Sequence, residues 1–583
     1  MAYAISTGQA GRIRSLAPGH AGIVLTQLPP TNPLEKLPAV AGGMLRANYG
    51  EGARILLLSP NGARRVLTEG FHSAADPEVS FDGRRILFAA KKNASDDWNI
   101  YEMQADGSRV RQITRGLGDC RSPVYQSSLF VLDSEKPWYQ AAFASAAAGE
   151  LNEYAAIPST NLYSVKLDGS AVRRLTFNPS SSLDPHMLPD GRLLFASWQR
   201  AAPDRGPLGR IALFGINLDG TDFAVFSADE GPRIKQMPCV TTERLVVFVE
   251  ADRVPWDGAG ALASVSLRRN LHSYRRITAE KDGLFHSPSP LPDGTILVSR
   301  RPNDSAGTHA VCRLDPATGR FELIFDDPAY HNIQAKILYP RAEPDGHSSV
   351  VDEKDPTGKF YCLSVGTADV AMPEGAAKRL RVLEGLPRKV KSAPLQKRFL
   401  GEINLEADGS FNIQVPANIP IQLQVLDGRG MALRSSSWIW VKNREARGCI
   451  GCHEDGERTP ENALARALTH PSIALTLPPE RRRSVDFRRE VEPILSRRCN
   501  NQACHGGAVP PLDLDKNVRP GKARTSPLIW RIFGANTSRP WDPIPATGKT
   551  LPMPPPGSPP LTEEEKRTII EWIDLGAYRE GQR

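Results

Sequence analysis

The sequence predicts a mainly β chain of several domains: a propeller of roughly six blades, a small β domain, and a short α-helical domain at the end. Three observations carry this. The 583 residues exceed what one core holds, and 50 Pro with 48 Gly favour many turns and short strands over long helices. A strand–turn–strand unit recurs along residues 40–345. Beyond residue 485 the apolar spacing changes from that of a strand to that of a helix.

The repeat is explicit. Asp76-Pro77-Glu78-Val79-Ser80-Phe81-Asp82-Gly83 leads into the apolar run Ile86-Leu87-Phe88-Ala89. The pattern returns at Asp184-Pro185, with Asp190-Gly191 and Leu193-Leu194-Phe195-Ala196, and at Ser287-Pro288, with Asp293-Gly294 and Ile296-Leu297-Val298-Ser299. A strand, an Asp-Gly turn and an apolar strand form a hairpin signature. Weaker copies begin at Ser122-Pro123 and Met237-Pro238. The interval is then roughly 45 to 60 residues, close to one four-stranded blade. The second half of the unit repeats as well: Asn99-Ile100-Tyr101, Asp106-Gly107 and Arg111-Gln112-Ile113-Thr114 match Asn161-Leu162-Tyr163, Asp168-Gly169 and Arg173-Arg174-Leu175-Thr176. These units resemble the blades of TolB-like propellers. Residues 40–345 are read as the propeller and 1–39 as an N-terminal extension. A pair of β-sandwiches is the competing architecture.

Residues 346–448 read as a linker and a β middle domain. A polar connector fills 345–378. Apolar–polar alternation then marks strands at 399–415, around Asp408-Gly409, and at 419–427 and 436–441. Residues 449–484 open with Cys449-Ile450-Gly451-Cys452-His453, read as a first haem attachment motif. Residues 485–583 form a cytochrome c-like domain, closed by a helix at 566–575 that Thr562-Glu563-Glu564-Glu565 caps.

Cys449-Ile450-Gly451-Cys452-His453 is the strongest chemical signal. Two thiols at this spacing form thioethers to the two vinyl groups of one porphyrin, and the adjacent imidazole lies against the iron. A zinc or redox CxxC would need a second ligand pair or a βαβ context. Cys499-Asn500-Asn501-Gln502-Ala503-Cys504-His505 keeps the Cys-His adjacency over a longer loop. It is read as a second attachment site, a Cys499–Cys504 disulfide being the alternative. Met553, within Leu551-Pro552-Met553-Pro554-Pro555-Pro556-Gly557, resembles the axial-Met loop of class I cytochromes c and is paired with His505. For the first haem, His470 is a candidate sixth ligand or a surface residue. Cys120, Cys239, Cys312 and Cys362 read as buried small side chains or a disulfide.

Composition bounds the rest. The net charge of +8 is scattered in short basic runs such as Arg481-Arg482-Arg483, the pattern of a solvated surface and not of nucleic-acid binding. No apolar run reaches the roughly 18 residues of a membrane span. Residues 1–30 hold no charged-then-apolar leader. The expected location, periplasmic or otherwise extracytoplasmic, rests on the haem chemistry, with the export signal outside this chain.

The order of parts, with Arg447-Gly448-Cys449-Ile450-Gly451-Cys452-His453-Glu454 ending the middle domain, resembles the hydrazine synthase alpha subunit family over about residues 40–580. The resemblance implies two haem c groups, the first as reaction centre and the second for electron transfer, and redox partners or other subunits. It also implies a zinc near the first haem, bound by the motif histidine, His453, while a Tyr four residues on takes the iron. Here that position is Glu457, and the second motif and Met553 also depart from the family's bis-His site. Candidate wall residues for an open first haem are His72, Asp76, Asp119, Cys120, Asp184, His186 and His286. The chain is therefore read as an exported dihaem oxidoreductase. The alternative is an electron-transfer or scaffold subunit that docks through its propeller.

Overall fold

In a computed structural model the chain forms two compact units, Met1–Asp352 and Glu353–Arg583. The structure describes all residues except 1–6, 31–39, 156, 200–207, 304–306, 369–371, 392–394, 453–456, 458–463, 501–504, 506–511, 543–551, 556 and 580–583.

The first unit is a β-propeller of four-stranded antiparallel sheets. Ser73–Val79, Arg85–Lys91, Asn99–Gln104 and Arg111–Gln112 form one, and Cys120–Tyr125, Gln140–Ser145, Asn161–Lys166 and Arg173–Arg174 the next. Two further four-strand groups start at Ser182–Met187 and Ile234–Val240. The single parallel pair Ile211–Ile234 joins them into one eight-stranded sheet. Leu284–Pro290 opens the sheet that ends at Phe321–Phe325. In a further four-stranded sheet, Ile23–Leu28, Arg54–Leu58 and Arg64–Val66 are completed by His331–Ile337 from the far end of the unit. Residues 23–28, read from sequence as part of an extension, are thus a fully buried strand of this sheet.

The prolines of the repeat sit in the first strand of their sheets, where Pro breaks a ladder. The registers show why they are tolerated. Pairing shifts between Ala75 and Glu78, Leu183 and His186, Gln236 and Cys239, and His286 and Ser289, always across the X-Pro pair. Each is a β-bulge, where a missing N–H costs no ladder bond. The residue before each proline is left-handed: Asp76 at φ 56°, Ser122 at 52°, Asp184 at 51°, Met237 at 49° and Ser287 at 48°. Gln334, which precedes an alanine, has φ 59° at the equivalent place.

A non-glycine there costs on the order of 1 kcal/mol. Side chains offset it by linking one bulge to the next. Ser122 N–H donates to Asp76 Oδ2 (2.9 Å), Met237 N–H to Asp184 Oδ2 (3.2 Å), and Asp76 N–H to Gln334 Oε1 (2.9 Å). Met237 Sδ lies 3.4 Å from Ser287 N. Arg121 closes an ion pair with Asp76 at 2.7 Å, and Arg46 one with Asp184 at 2.6 Å.

The second unit holds two four-stranded sheets and a helical part. Thr357–Cys362 lies between Phe411–Pro416 and Ala446–Cys449; Arg379–Leu386 lies between Gln396–Asn404 and Ile421–Leu426. The expected connector therefore contains a strand, Thr357–Cys362. Its alternation of buried Phe360 and Cys362 with exposed Lys359 is that of a one-sided strand. Of the strand expected at 436–441, only a bridge from Ile439 to Ile421 forms. Helix Glu563–Asp574 is capped by Thr562 and Glu565 in a capping box, and Trp572 packs on Phe487 at 5.1 Å. Arg381, 1% exposed, binds this helix to the sheets through Glu571 (3.7 Å) and Asp574 (3.8 Å).

Removing Asp76 leaves Arg121 without its carboxylate and the Ser122 N–H without an acceptor. Asp76→Ala should lower the stability of the propeller unit by on the order of 3 kcal/mol, with Asp76→Asn costing less. Urea unfolding of the full chain measures both.

Candidate functional site

The bulges face a channel in the first unit. Asp76, Pro77, Ser122, Pro123, Asp184, Pro185, Met237, Pro238, Ser287 and Pro288 line a cavity with about 590 Å³ of empty space, part of it open to solvent. The prolines present aliphatic rings and no N–H, so side chains supply its polarity. Glu78, His186 and Lys336 line it two residues beyond the bulges, where Glu78 pairs with Lys336 at 3.0 Å and with Arg341 at 2.6 Å. Arg46 and Tyr49 reach in from the segment before Arg54–Leu58. The Tyr49 hydroxyl lies 3.0 Å from His286 Nε2, and Ser287 Oγ lies 2.6 Å from His286 Nδ1.

Of the expected wall residues, the fold gathers Asp76, Asp184, His186 and His286 here. The others lie elsewhere. His72 is exposed beside Glu51 at 3.1 Å. Asp119 accepts the Trp98 N–H at 3.0 Å. Cys120 is buried in the apolar core, and burial pushes its thiol up to about 12, which leaves it unreactive. Sequence reasoning missed Arg46, Tyr49, Glu78, Arg121, Gln334 and Lys336. Gln334-Ala335-Lys336 shares the phase of the X-Pro pairs but lacks the proline that marked them.

The channel carboxylates are committed to cations, and its histidines are neutral. Burial opposes charge on Asp76, but Arg121 and the Ser122 N–H hold it far below the usual carboxylate range. Against its burial, Lys336 and Arg341 hold Glu78 at about 2. Burial, helped by Lys336, lowers His186 to about 3, and burial with His309 does the same to His286.

In the second unit, Ala446–Cys449 pairs in parallel with Thr357–Cys362, which sets Cys449 beside Cys362. The turn that follows is laid along residues 363–367. Leu363 N–H donates to Cys449 O (3.0 Å), Ser364 N–H to Ile450 O (3.2 Å) and Cys452 N–H to Thr367 O (2.9 Å). Both glycines of the motif are required by space. A Cβ on Gly451 would meet Thr367 O at 2.0 Å, and one on Gly448 would meet the Tyr361 ring at 2.5 Å. Cys449 and Cys452 are half-buried and pack against one apolar cluster. His453 lies outside the described residues. Glu457 is half-buried and His470 is exposed.

The second motif begins where helix Glu492–Arg498 ends. Cys499 N–H donates to Leu495 O (2.8 Å), and its side chain packs against the helical core. His505 N–H donates to Cys499 O (2.9 Å), so the longer loop is closed at its base. Cys504 lies outside the described residues. Met553 is 38% exposed, and its N–H donates to Arg531 O (2.8 Å) at the end of helix Pro527–Phe533. Pro552 packs on Gly534, which ends that helix at φ 62°.

Comparison with known proteins matches these parts. Residues 385–454 fit the family model of the hydrazine synthase alpha subunit middle domain. The chain is 24% identical to hydrazine synthase subunit alpha of Kuenenia stuttgartiensis, across 93% of this chain and 90% of that protein. The solved structure of K. stuttgartiensis hydrazine synthase shares the fold, with a TM-score of 0.80 at 22% identity over 97% of this chain and 96% of that one. TolB from Acinetobacter baumannii aligns with a TM-score of 0.36 at 15% identity, over 55% of this chain and 67% of that one, too slight a likeness to argue from.

Two outcomes are expected. An unfolded histidine takes a proton near pH 6.5 whereas folded His186 and His286 do so near 3, so the unfolded chain binds more protons in between. Stability should be full above about pH 6.5 and fall toward pH 3, by up to about 1.4 kcal/mol per histidine per pH unit. Urea titrations at pH 7 and pH 5 read the loss, and His186→Gln should reduce it. Gly451→Ala should break the bond from Cys452 N–H to Thr367, seen as faster hydrogen exchange at Cys452.

Proposed function

We propose that the chain is an exported dihaem c-type cytochrome and a hydrazine synthase alpha-like redox subunit, with its first unit a six-bladed propeller and its last residues a cytochrome c domain. The observation that supports this most is the presentation of Cys449 and Cys452. One strand and a turn locked at Gly448 and Gly451 hold both thiols against one apolar cluster, inside the segment that matches the middle-domain model. An apolar wall beside two partly exposed thiols suits a porphyrin, which is flat, greasy and anchored at one edge.

In this reading Cys449 and Cys452 would hold the first haem through thioethers, with His453 as the motif's histidine and Glu457 and His470 as further candidate ligands for its iron. Cys499 and Cys504 would hold the second, with His505 and Met553 as the candidate ligands for its iron. Haem supplies reversible one-electron iron chemistry, and the axial ligands set its potential. Around it the chain's own residues do the positioning. The bond from His505 N–H to Cys499 O ties the motif histidine back to the end of the preceding helix. The Met553 N–H bond to Arg531 O fixes the start of the proline loop on a helix end. A zinc near the first haem would take His453 in place of the iron and leave the iron to Glu457 or His470, and elemental analysis tests for it. Redox partners or further subunits complete the assembly.

A second reading, an electron-transfer or scaffold subunit, draws support from the channel. Its carboxylates are already paired with Arg46, Arg121 and Lys336, as expected of a framework that carries no reaction. Adding CO or cyanide separates the two. A spectral shift at the first haem supports a reaction centre, and two ligand-indifferent low-spin haems support a carrier.

Denatured protein should carry two covalent haems by mass and by pyridine haemochrome, and Cys452→Ala should retain one. Met553→Ala should make the second haem high-spin and lower its potential, with the first unchanged. Met553→His should restore low spin at a still lower potential than the native thioether gives, because imidazole stabilises ferric iron more. One haem per chain, or a Met553→Ala spectrum identical to the native one, overturns the corresponding assignment.

A further inference from the structure

We propose that Cys362 is a third thiol of the first attachment motif and forms a disulfide with Cys449 in the haem-free chain. The two residues stand directly opposite each other at the ends of parallel strands Thr357–Cys362 and Ala446–Cys449. Neighbouring strands lie about 4.8 Å apart, within the roughly 4.4–6.8 Å between Cα atoms that a disulfide spans. The side chains share a face. Cys362 belongs to the apolar cluster of the unit, and Cys449 and Cys452 pack against that same cluster. The preceding pair, Tyr361 and Gly448, meets on the opposite face, where the tyrosine ring covers the glycine. The backbone bond from Leu363 N–H to Cys449 O holds the register just beyond the two cysteines.

Exposure assigns the roles. Cys449 is half-buried and open to an oxidant, whereas Cys362 is 1% exposed and shielded. With a small protein disulfide as oxidant, the Cys449 thiolate attacks one oxidant sulfur and releases the other as a thiolate. Cys362 then attacks Cys449 Sγ and expels the oxidant's remaining sulfur. Two thiol protons and two electrons leave the chain, and the oxidant departs as a dithiol. Cys452, three residues from Cys449, can in turn attack Cys449 Sγ and return Cys362 to the thiol. The three cysteines form one internal exchange set, and a dithiol reductant must open it before thioethers form. Only this last consequence rests on the haem reading; the disulfide itself does not.

The test uses the full chain, secreted into an oxidising compartment of a host without haem-attachment machinery. Thiols are trapped by alkylation in acid, and peptides are mapped without reduction. The expected result is a linked Cys362–Cys449 peptide and loss of alkylation at Cys362. Cys362→Ser should abolish that peptide and shift Cys449 to a bond with Cys452. Cys452→Ser, which leaves the core pair intact, should keep it. Full alkylation of Cys362 in both the native chain and Cys452→Ser overturns the proposal. Absence of covalent haem in a competent host would instead sink the haem reading and leave this result standing.

Discussion

The first unit depends on one repeated constraint: a residue held at positive φ inside the first strand of each sheet, with its side chain or backbone tied to the neighbouring sheet. Asp76 shows the cost and the return. Its backbone is strained, yet its carboxylate takes the Ser122 N–H and Arg121, and its own N–H goes to Gln334. Strain at one sheet is thus offset by bonds to the next. Each of these bonds joins two bulges, so strain and stabilisation are shared between neighbouring sheets. The same bulges turn the proline rings and acidic side chains toward the axis, which gives the channel its aliphatic collar and its fixed charges.

Much of this was legible in the sequence. Asp-Gly turns and X-Pro pairs repeat because hairpins and bulges need those residues, so the periodic copies at Asp76, Asp184 and Ser287 marked real strands. What escaped was whatever carried no local signal. Ile23–Leu28 lies before the repeat and finds its partner, His331–Ile337, by long-range pairing alone. Gln334-Ala335-Lys336 does the work of an X-Pro pair without proline. Thr357–Cys362 showed alternation over too few residues to stand out from a polar connector.

The site divides in the same way. Spacing along the chain marked the Cys449 and Cys499 motifs as candidate attachment sites, and the surrounding prolines marked Met553 as a candidate ligand. Spacing could not show that Gly448 and Gly451 are forced by Tyr361 and Thr367, or that Cys362 lies across from Cys449 in the same sheet. Those are contacts between segments some 85 residues apart, settled by register. The channel is the converse case: Asp76, Asp184, His186 and His286 do converge, but their partners Arg46, Tyr49 and Arg121 come from positions that no motif singles out.

The sheet completed by the two ends of the propeller has a temporal meaning. Thr26 and Gln334, whose side chains bond across it, are 308 residues apart in sequence. Loop closure over such a span is entropically costly and kinetically late, so the inner edge of the first sheet waits until nearly the whole propeller has emerged. At roughly 5 to 20 residues per second of synthesis, that wait is tens of seconds. Through it the apolar strand Ile23–Leu28 has one open edge, a template for wrong partners. A chain built this way has reason to be kept unfolded and escorted until its last propeller strand arrives.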